Sequence, residues 1–168
     1  MIRYQQGNVL LCKEDVLMHG VNCQVDIPIT RVMGAGVALT ISNRWPIVKE
    51  TYLGKAAWYT GQTQWVKVGG RIIRDTVNST PQITRPIYVV NAATQEYYGR
   101  TGCYVDYEAI RQVFTSVIFQ CQENDWTLAA PKIGAGLAGG DWGRIERIIN
   151  EVSGDFVVNI YVPRTDRS

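Results

Sequence analysis

One stretch of the sequence decides the fold: PKIGAGLAGGDW, residues 131–142. An apolar run, residues 126–130, leads into it, and an amphipathic run, residues 144–152, leads out of it. These patterns predict a strand followed by a helix, with glycines at the turn between them. Such a turn exposes backbone N–H groups at the helix N-terminus, and these groups bind anions, phosphate above all. We therefore interpret residues 131–142 as one half of a phosphate cradle.

A second helix start of the same kind lies near the front of the chain, at MGAGVA, residues 33–38. Its glycines would let the backbone approach a ligand closely, and its backbone would offer N–H donors. Two facing cradles would hold the two phosphoryl groups of a pyrophosphate. The alternative is that both sets of glycines serve only tight turns and helix packing. Two such loops in one small domain weaken that alternative.

Strands and helices alternate along the chain, which predicts a three-layer α/β/α fold with a mixed central sheet. Strands are predicted at residues 2–11, 16–21, 86–90, 126–130 and 155–162. Helices are predicted at residues 37–44, 46–58, 104–124 and 144–152. Residues 63–68 and 71–76 are predicted to form a hairpin, because Gly69-Gly70 between them is a two-residue turn signal. Ligands of such sheets bind beyond the carboxyl ends of the strands.

The length of 168 residues and the composition are those of one ordinary soluble globular domain, residues 1–168. A net charge of +2 is too small to indicate nucleic-acid binding by itself, although it suits an anionic small ligand. No apolar run is long enough to span a membrane, and the first residues do not resemble a signal peptide. We expect a cytoplasmic monomer with no membrane partner and no stable nucleic-acid partner.

The four cysteines are scattered along the chain, and there is a single histidine, His19. A zinc site needs paired ligand spacing, so no metal site is predicted. We interpret the cysteines as free thiols in a reducing compartment. A nucleophilic pair of Cys23 with His19 is a weaker alternative.

Residues 134–139 also fit the pattern G-x-G-x-x-G, and Asp155 follows at about the spacing of a dinucleotide-binding fingerprint. Two observations oppose that interpretation. Only one helix and one strand follow the motif, so the second half of a dinucleotide fold is missing. Asp155 also begins its predicted strand, whereas a ribose-binding acid should end one.

Three polar residues lie beside the predicted cradles. Asn22 ends the buried strand 16–21, where its amide would bind a ribose hydroxyl, position water, or form a turn or cap. Any imidazole acid–base chemistry must use His19, although a lone histidine in a strand more often belongs to the core. Asp141 stands where a helix N-cap belongs, and it would cap the helix, bind a ribose hydroxyl or orient water.

Taken together, three segments resemble a macrodomain, the ADP-ribose-binding module. They are residues 7–10 (GNVL), residues 17–23 (LMHGVNC) with their sequel 33–38 and RWP at 44–46, and residues 131–142. The similarity is greatest to the yeast-type ADP-ribose-1″-phosphate phosphatase branch of that family. It covers most of the chain and is weakest over residues 63–102. Each motif alone is moderately specific, and their order and spacing together are more so.

This resemblance implies that ADP-ribose lies along the upper edge of the sheet and that the terminal phosphate of ADP-ribose-1″-phosphate is hydrolysed, leaving ADP-ribose. Because the sequence shows no metal cluster, we expect this hydrolysis to need no metal or other cofactor. Asn22 and Asp141 would position water, and His19 would act as an acid or base or would steady Asn22. Asn8 would lie near the adenine. The residues implied to bind ADP-ribose or its phosphorylated derivatives are Asn8, Val9, Gly34, Ala35, Gly36, Val37, Ile133, Gly134, Ala135, Gly136, Leu137 and Ala138.

Two other functions stay open, hydrolysis of ADP-ribose attached to protein or nucleic acid, and ADP-ribose binding without chemistry. The ADP-ribosyl-glutamate hydrolases of the related branch use a lysine after the middle strand, and Asn91-Ala92-Ala93 offers none. Their aspartate in the second loop corresponds to Ala138. Residues 23–32 also form a longer loop than in close relatives. The missing lysine and the missing aspartate count against a mechanism through a lysine adduct.

Overall fold

The computed structural model of the protein describes residues 1–24, 33, 36–74, 80–96, 105–136 and 138–164. Its strands are β1 (Ile2–Gln6), β2 (Val16–Val21), β3 (Thr63–Lys67), β4 (Ile72–Arg74), β5 (Pro81–Ile83), β6 (Tyr88–Ala93), β7 (Leu128–Ala130) and β8 (Val158–Val162). Its α-helices are α1 (Gly36–Arg44), α2 (Pro46–Leu53), α3 (Tyr107–Asn124) and α4 (Trp142–Ser153). A short 3-10 helix, Val9–Leu11, follows β1.

Six of these strands form one sheet in the order β1-β8-β7-β2-β6-β3. Strands β1, β8, β7, β2 and β6 run parallel to one another, and β3 pairs antiparallel with β6 at the edge. The predicted mixed sheet is therefore confirmed. Strand β2 lies inside the sheet between β7 and β6, which explains why its sequence is apolar on both faces.

The side chains of each strand alternate between the two faces of this sheet. Both faces are therefore apolar, and helices cover both of them. Val16 and Met18 of β2 belong to the apolar core that also contains residues of α3 and α4. Leu17 and Val21 belong to the core on the other face, with residues of α1 and α2. The predicted three-layer α/β/α arrangement is confirmed. None of the helices within the described ranges is long and apolar enough to cross a membrane.

The predicted hairpin of residues 63–68 and 71–76 is wrong. Strand β3 pairs with β6, and β4 pairs with β5 in a separate two-stranded sheet. The two glycines at the predicted turn instead run close to another segment of the chain. A Cβ on Gly69 would lie 2.2 Å from the carbonyl oxygen of Pro86, and Gly70 donates its N–H to the Thr84 carbonyl at 2.9 Å. Gly69 and Gly70 therefore allow the backbone to approach the segment that contains Thr84 and Pro86. This approach favours contacts with a distant part of the sequence over a local hairpin.

Several element boundaries also differ from prediction. The strand predicted at residues 2–11 ends at Gln6, because Asn8 caps a 3-10 helix at Val9–Leu11. Strand β6 continues to Ala93 instead of ending near Val90, because Asn91 to Ala93 keep their ladder with β2 and are buried. Helix α2 ends at Leu53, several residues before the predicted end, because the Gly54 N–H closes the last turn on Glu50 and Tyr52 carbonyls. The longer β6 places Thr94 directly after the end of a central strand.

Candidate ligand-binding site

The candidate site lies at the edge of the sheet where the parallel strands end. Asn8 follows β1, Asn22 follows β2, Thr94 follows β6, and residues 131–140 follow β7. Because these strands are parallel, their carboxyl ends meet at one edge, which is where open α/β sheets bind ligands. The strand order places the carboxyl ends of these strands along one edge, and their use by a single ligand stays a prediction.

Gly20, two residues before Asn22 in the sequence, lies where the segments after β6 and β7 approach each other. A Cβ on Gly20 would lie 2.8 Å from Thr94 Oγ1 and 3.0 Å from Ile133 Cγ2. Ile133 and Thr94 therefore approach each other across β2, above a residue that has no side chain. This contact brings the segments after β6 and β7 together two residues before Asn22.

The Asn22 side chain is held in one orientation. Its Oδ1 accepts hydrogen bonds from the Gln24 N–H at 2.9 Å and from the Tyr52 hydroxyl at 3.1 Å. A backbone N–H group can donate a hydrogen bond to the oxygen of a side-chain amide but not to its NH2 group. The Gln24 contact therefore identifies which terminal atom of Asn22 is Oδ1 and which is Nδ2. Within the described ranges, Asn22 Nδ2 has no hydrogen-bond partner. Asn22 therefore forms a turn, as one interpretation predicted, and also keeps two N–H donors available for a ligand.

Residues 22–24 are tied to the segment after β6. Cys23 donates its N–H to the Glu96 carbonyl at 3.1 Å, and Gln24 donates its Nε2–H to the same carbonyl at 3.3 Å. Burial and then the Glu96 charge raise the pKa of the Cys23 thiol. A thiol with a raised pKa is protonated near neutral pH, so the Cys23–His19 nucleophile is not supported.

The glycine-rich loop 133–140 combines closed turns with free N–H groups. Gly139 donates its N–H to Gly136 and Gly140 donates to Gly134, at 3.0 and 2.8 Å. The N–H groups of Gly134, Gly136 and Ala138 make no hydrogen bond to any residue that the structure describes. Successive backbone N–H groups in such a loop form a concave site for an anion. This arrangement supports the predicted phosphate cradle.

The loop glycines serve two different purposes. Gly134 has φ of +84°, and a Cβ there would lie 2.8 Å from Val105 and 3.0 Å from Ile145. A Cβ on Gly136 would meet no heavy atom within 4 Å, and Gly136 is exposed. Close packing therefore explains the first glycine, whereas Gly136 faces open space where a ligand can approach. Ile133 and Ala138 are buried in the core below the loop.

The second predicted cradle is described only in part. Gly36 begins α1 with φ of +60°, a conformation that favours glycine, and a Cβ there would meet no heavy atom within 4 Å. Val37 follows it and is exposed. Gly34 and Ala35, like Leu137 of the first cradle, lie outside the described residues. The facing of the two cradles across one ligand stays a prediction.

At the end of β1, Asn8 caps the 3-10 helix. Its Oδ1 accepts the Leu10 N–H at 3.0 Å, while Val9 is buried against the α1–α2 side of the sheet. The amide Nδ2 of Asn8 has no partner among the residues described here, and the side chain is exposed. Asn8 thus lies just after β1 with a donor that no described residue uses, and its place near an adenine stays a prediction.

His19 is buried in the middle of the sheet and is 1% exposed. Its Nε2 lies 2.5 Å from Asn91 Oδ1, and Asn91 donates its Nδ2–H to the Val48 carbonyl at 3.2 Å. Burial lowers the pKa of His19 to about 4, although the Asn91 hydrogen bond opposes the shift. A neutral imidazole enclosed in this way supports the core role that the sequence left open and does not support acid–base chemistry.

Asp141 is the N-cap of α4. Its Oδ1 accepts the Gly143 N–H at 2.9 Å, and its own N–H donates to the Tyr107 hydroxyl at 2.9 Å. These contacts support the capping role among the three that the sequence allowed. The side chain is exposed at the helix start beside the loop.

The residues after β6 supply no lysine. The strand includes Asn91 to Ala93, and Thr94, Gln95 and Glu96 follow it. Ala138 is buried and offers no carboxylate. Over the described ranges, no group of three His, Cys, Asp or Glu side chains could hold a metal ion.

Sequence reasoning missed Tyr52, Gly20 and Thr94. Tyr52 was expected on the buried side of α2, and a buried tyrosine usually needs a partner for its hydroxyl, which was the available signal. Gly20 inside an apolar strand was a signal for close approach of another chain segment. Thr94 was missed because the predicted strand ended near Val90, which left Thr94 several residues away from a strand end that it directly follows in the structure.

No protein-family model matches the chain. Two curated proteins named DNA ADP-ribosyl glycohydrolase, from Mycobacterium tuberculosis and Mycobacterium bovis, are each 28% identical to it over 149 residues. The match covers 88% of this chain, and the chain spans 37% of the length of these relatives.

Solved structures resemble the chain over nearly its whole length. The macrodomain of Mycobacterium tuberculosis DarG has a TM-score of 0.73 and 24% identity, covering 97% of this chain and 98% of its own. Thermosipho africanus DarTG in complex with ADP-ribose has a TM-score of 0.70 and 17% identity, covering 98% of this chain and 43% of its own. The chain has the macrodomain fold.

Proposed function

We propose that the chain is a macrodomain-family ADP-ribosyl glycohydrolase that releases ADP-ribose from modified DNA. The observation that carries the proposal is a set of donors at one sheet edge that have no hydrogen-bond partner among the described residues. These are Asn22 Nδ2 and the N–H groups of Gly134, Gly136 and Ala138. Backbone donors in a concave loop suit a diphosphate, and a fixed amide suits a ribose hydroxyl.

The name of the curated relatives supports DNA as the acceptor. These relatives are named DNA ADP-ribosyl glycohydrolases, whereas the sequence resemblance alone favours the phosphatase branch. Hydrolysis of attached ADP-ribose was the alternative from the sequence, and the relatives favour it. A transient DNA substrate is compatible with the expectation of no stable nucleic-acid partner.

In the proposed reaction, the bond between the distal ribose C1″ and the DNA base breaks, and a water oxygen bonds to C1″. The water gives one proton to the departing base, so no redox step is needed. The loop N–H groups would anchor the diphosphate, and the Asn22 donors would fix the distal ribose for attack. Since His19 is buried and neutral, no step is assigned to it.

Three substrates offered to the purified protein test the proposal. They are an oligonucleotide that carries ADP-ribose on a base, an ADP-ribosylated protein, and ADP-ribose-1″-phosphate. We expect release of ADP-ribose from the oligonucleotide. Phosphate release from the third substrate without release from DNA would support the phosphatase alternative. ADP-ribose binding with no turnover of any of the three substrates would indicate that the chain is a binding module without catalytic activity.

Two variants connect the test to the site. Asn22→Ala should reduce DNA deglycosylation by about a hundredfold, as expected when an orienting contact is lost. Asn124→Ala is the matched control, because Asn124 is an exposed amide at the end of α3, at the opposite edge of the sheet. Equal activity of both variants and the unmodified chain would remove Asn22 from the proposed mechanism.

A further inference from the structure

We infer that Tyr52 is a positioning residue that holds the Asn22 amide in the orientation needed for ribose binding. This inference rests on the proposed function of the site. The Tyr52 hydroxyl lies 2.8 Å from the Asn22 carbonyl oxygen and 3.1 Å from Asn22 Oδ1. Both are acceptors, so the hydroxyl proton is shared between the backbone and the side chain of one residue.

Tyr52 is itself fixed by close packing. The side chain is 1% exposed, and its ring centroid lies 5.2 Å from that of Trp58. Trp58 also donates its Nε1–H to the Tyr52 carbonyl at 3.1 Å. A phenol ring enclosed in this way has few alternative orientations. Its hydroxyl group therefore stays in one position beside Asn22.

Helix α2, which carries Tyr52, is joined to the sheet by a buried polar network. Asn91 donates to the Val48 carbonyl at 3.2 Å and to Gln64 Oε1 at 3.0 Å, and Gln64 donates to the Thr51 carbonyl at 3.0 Å. His19 completes this network through Asn91. The network fixes the position of α2 relative to β2. Tyr52 on α2 then holds Asn22, which follows the end of β2, through its hydroxyl group.

The Tyr52 hydroxyl has a specific chemical effect on Asn22. Without it, the Gln24 N–H would be the remaining described contact on Oδ1, and the amide could rotate about that single bond. Donation to Oδ1 also polarises the amide and makes its N–H groups better donors. Loss of the hydroxyl should therefore weaken turnover much more than it weakens folding.

The test is Tyr52→Phe, which keeps the buried ring and removes the hydroxyl. We expect kcat for DNA deglycosylation to fall about tenfold to a hundredfold, with KM changed less than threefold. Tyr88→Phe is the matched control, because Tyr88 lies at the opposite end of β6 in an aromatic cluster with Trp65 and Trp126. Its kcat should stay within twofold of the unmodified chain.

A double-mutant cycle separates positioning from a general structural role. In the Asn22→Ala background, Tyr52→Phe should cause no further loss, because its action passes through the missing amide. Additive losses would overturn the inference. So would a Tyr52→Phe variant with unchanged kcat.

An NMR measurement keeps the inference testable if the unmodified chain does not turn over DNA. The side-chain NH2 signals of Asn22 should shift or broaden in Tyr52→Phe and stay unchanged in Tyr88→Phe. Unchanged Asn22 signals in both variants would overturn the positioning role. Absence of turnover with the expected shift would instead contradict the proposed function and leave the positioning contact supported.

Discussion

His19 and Asn91 face each other on the neighbouring strands β2 and β6 and share a 2.5 Å hydrogen bond. Both Nδ2 protons of Asn91 are used, one by the Val48 carbonyl and one by Gln64 Oε1. Asn91 Oδ1 must therefore accept, and the neutral His19 ring carries its proton on Nε2. His19 Nδ1 is buried and has no partner within the described residues.

Stability should depend on pH through His19. Its folded-state pKa of about 4 lies below the usual value of 6.5, so the unfolded chain binds more protons between these values. The free energy of unfolding should therefore fall as the pH is lowered from 6.5 to 4, by up to about 3 kcal/mol from this group. Urea unfolding of the unmodified chain and of His19→Gln across this range measures the difference. Identical pH profiles for the two proteins would contradict the assignment.

The two kinds of loop glycine should respond differently to substitution. Gly134→Ala places a Cβ against Val105 and Ile145 at a positive φ, and should lower the free energy of unfolding by about 1–3 kcal/mol. Gly136→Ala meets open space and should change it by less than about 1 kcal/mol. Thermal unfolding of both variants checks the contrast.

Gly136→Glu should separate binding from folding. The side chain would project from an exposed position of the loop and would bring a negative charge beside the proposed diphosphate. We expect a folded protein that no longer binds ADP-ribose by calorimetry. Gly136→Ala is the control and should retain binding. If the glutamate variant binds ADP-ribose as tightly as the unmodified chain, Gly136 does not line the cradle.

Two substitutions of Asp141 separate capping from catalysis. Asparagine is as good an N-cap as aspartate, so Asp141→Asn should keep both the stability and the turnover. Asp141→Ala removes the acceptor of the Gly143 N–H and should cost about 1 kcal/mol of unfolding free energy. Stability by urea titration and turnover of modified DNA are measured together. A large loss of turnover in the stable asparagine variant would show a role for the charge.

Gly20→Ala should disturb the contact between the segments that follow β6 and β7. The new methyl group would lie 2.8 Å from Thr94 Oγ1 and 3.0 Å from Ile133 Cγ2, so one of these side chains must move. We expect ADP-ribose binding about tenfold weaker, with a destabilisation of about 1–3 kcal/mol typical of overpacking. The control is Gly54→Ala, where the new Cβ would keep ordinary 3.5 Å contacts. Equal binding by both variants would show that Gly20 is remote from the ligand.

Much of the fold follows from local patterns in the sequence. Residues 16–21 were predicted with the observed bounds because a strand buried on both faces is apolar throughout. Asp141 was placed at a helix N-cap because its position after the glycines and before an amphipathic run is typical of one.

Other features depend on contacts between distant residues, which local patterns do not encode. Gly69-Gly70 has the sequence of a hairpin turn, yet its backbone packs against Pro86 and Thr84. Tyr52 has the pattern of an ordinary core residue, and its hydroxyl partner lies 30 positions earlier in the chain. The choice between phosphate and DNA as the leaving group depends on surfaces that the shared motifs do not specify.

The candidate site takes Asn8, Asn22, Thr94 and Ile133 from the ends of four strands that are far apart in the sequence. These four residues span positions 8 to 133 and come together only when the chain folds. A ligand at this site would therefore bind the folded chain and have little affinity for the unfolded one. Ligand affinity and resistance to heat are therefore coupled: at a ligand concentration of a hundred times Kd, unfolding would cost about 2.7 kcal/mol more. A melting curve recorded against ligand concentration would rank candidate nucleotides before any turnover assay is available.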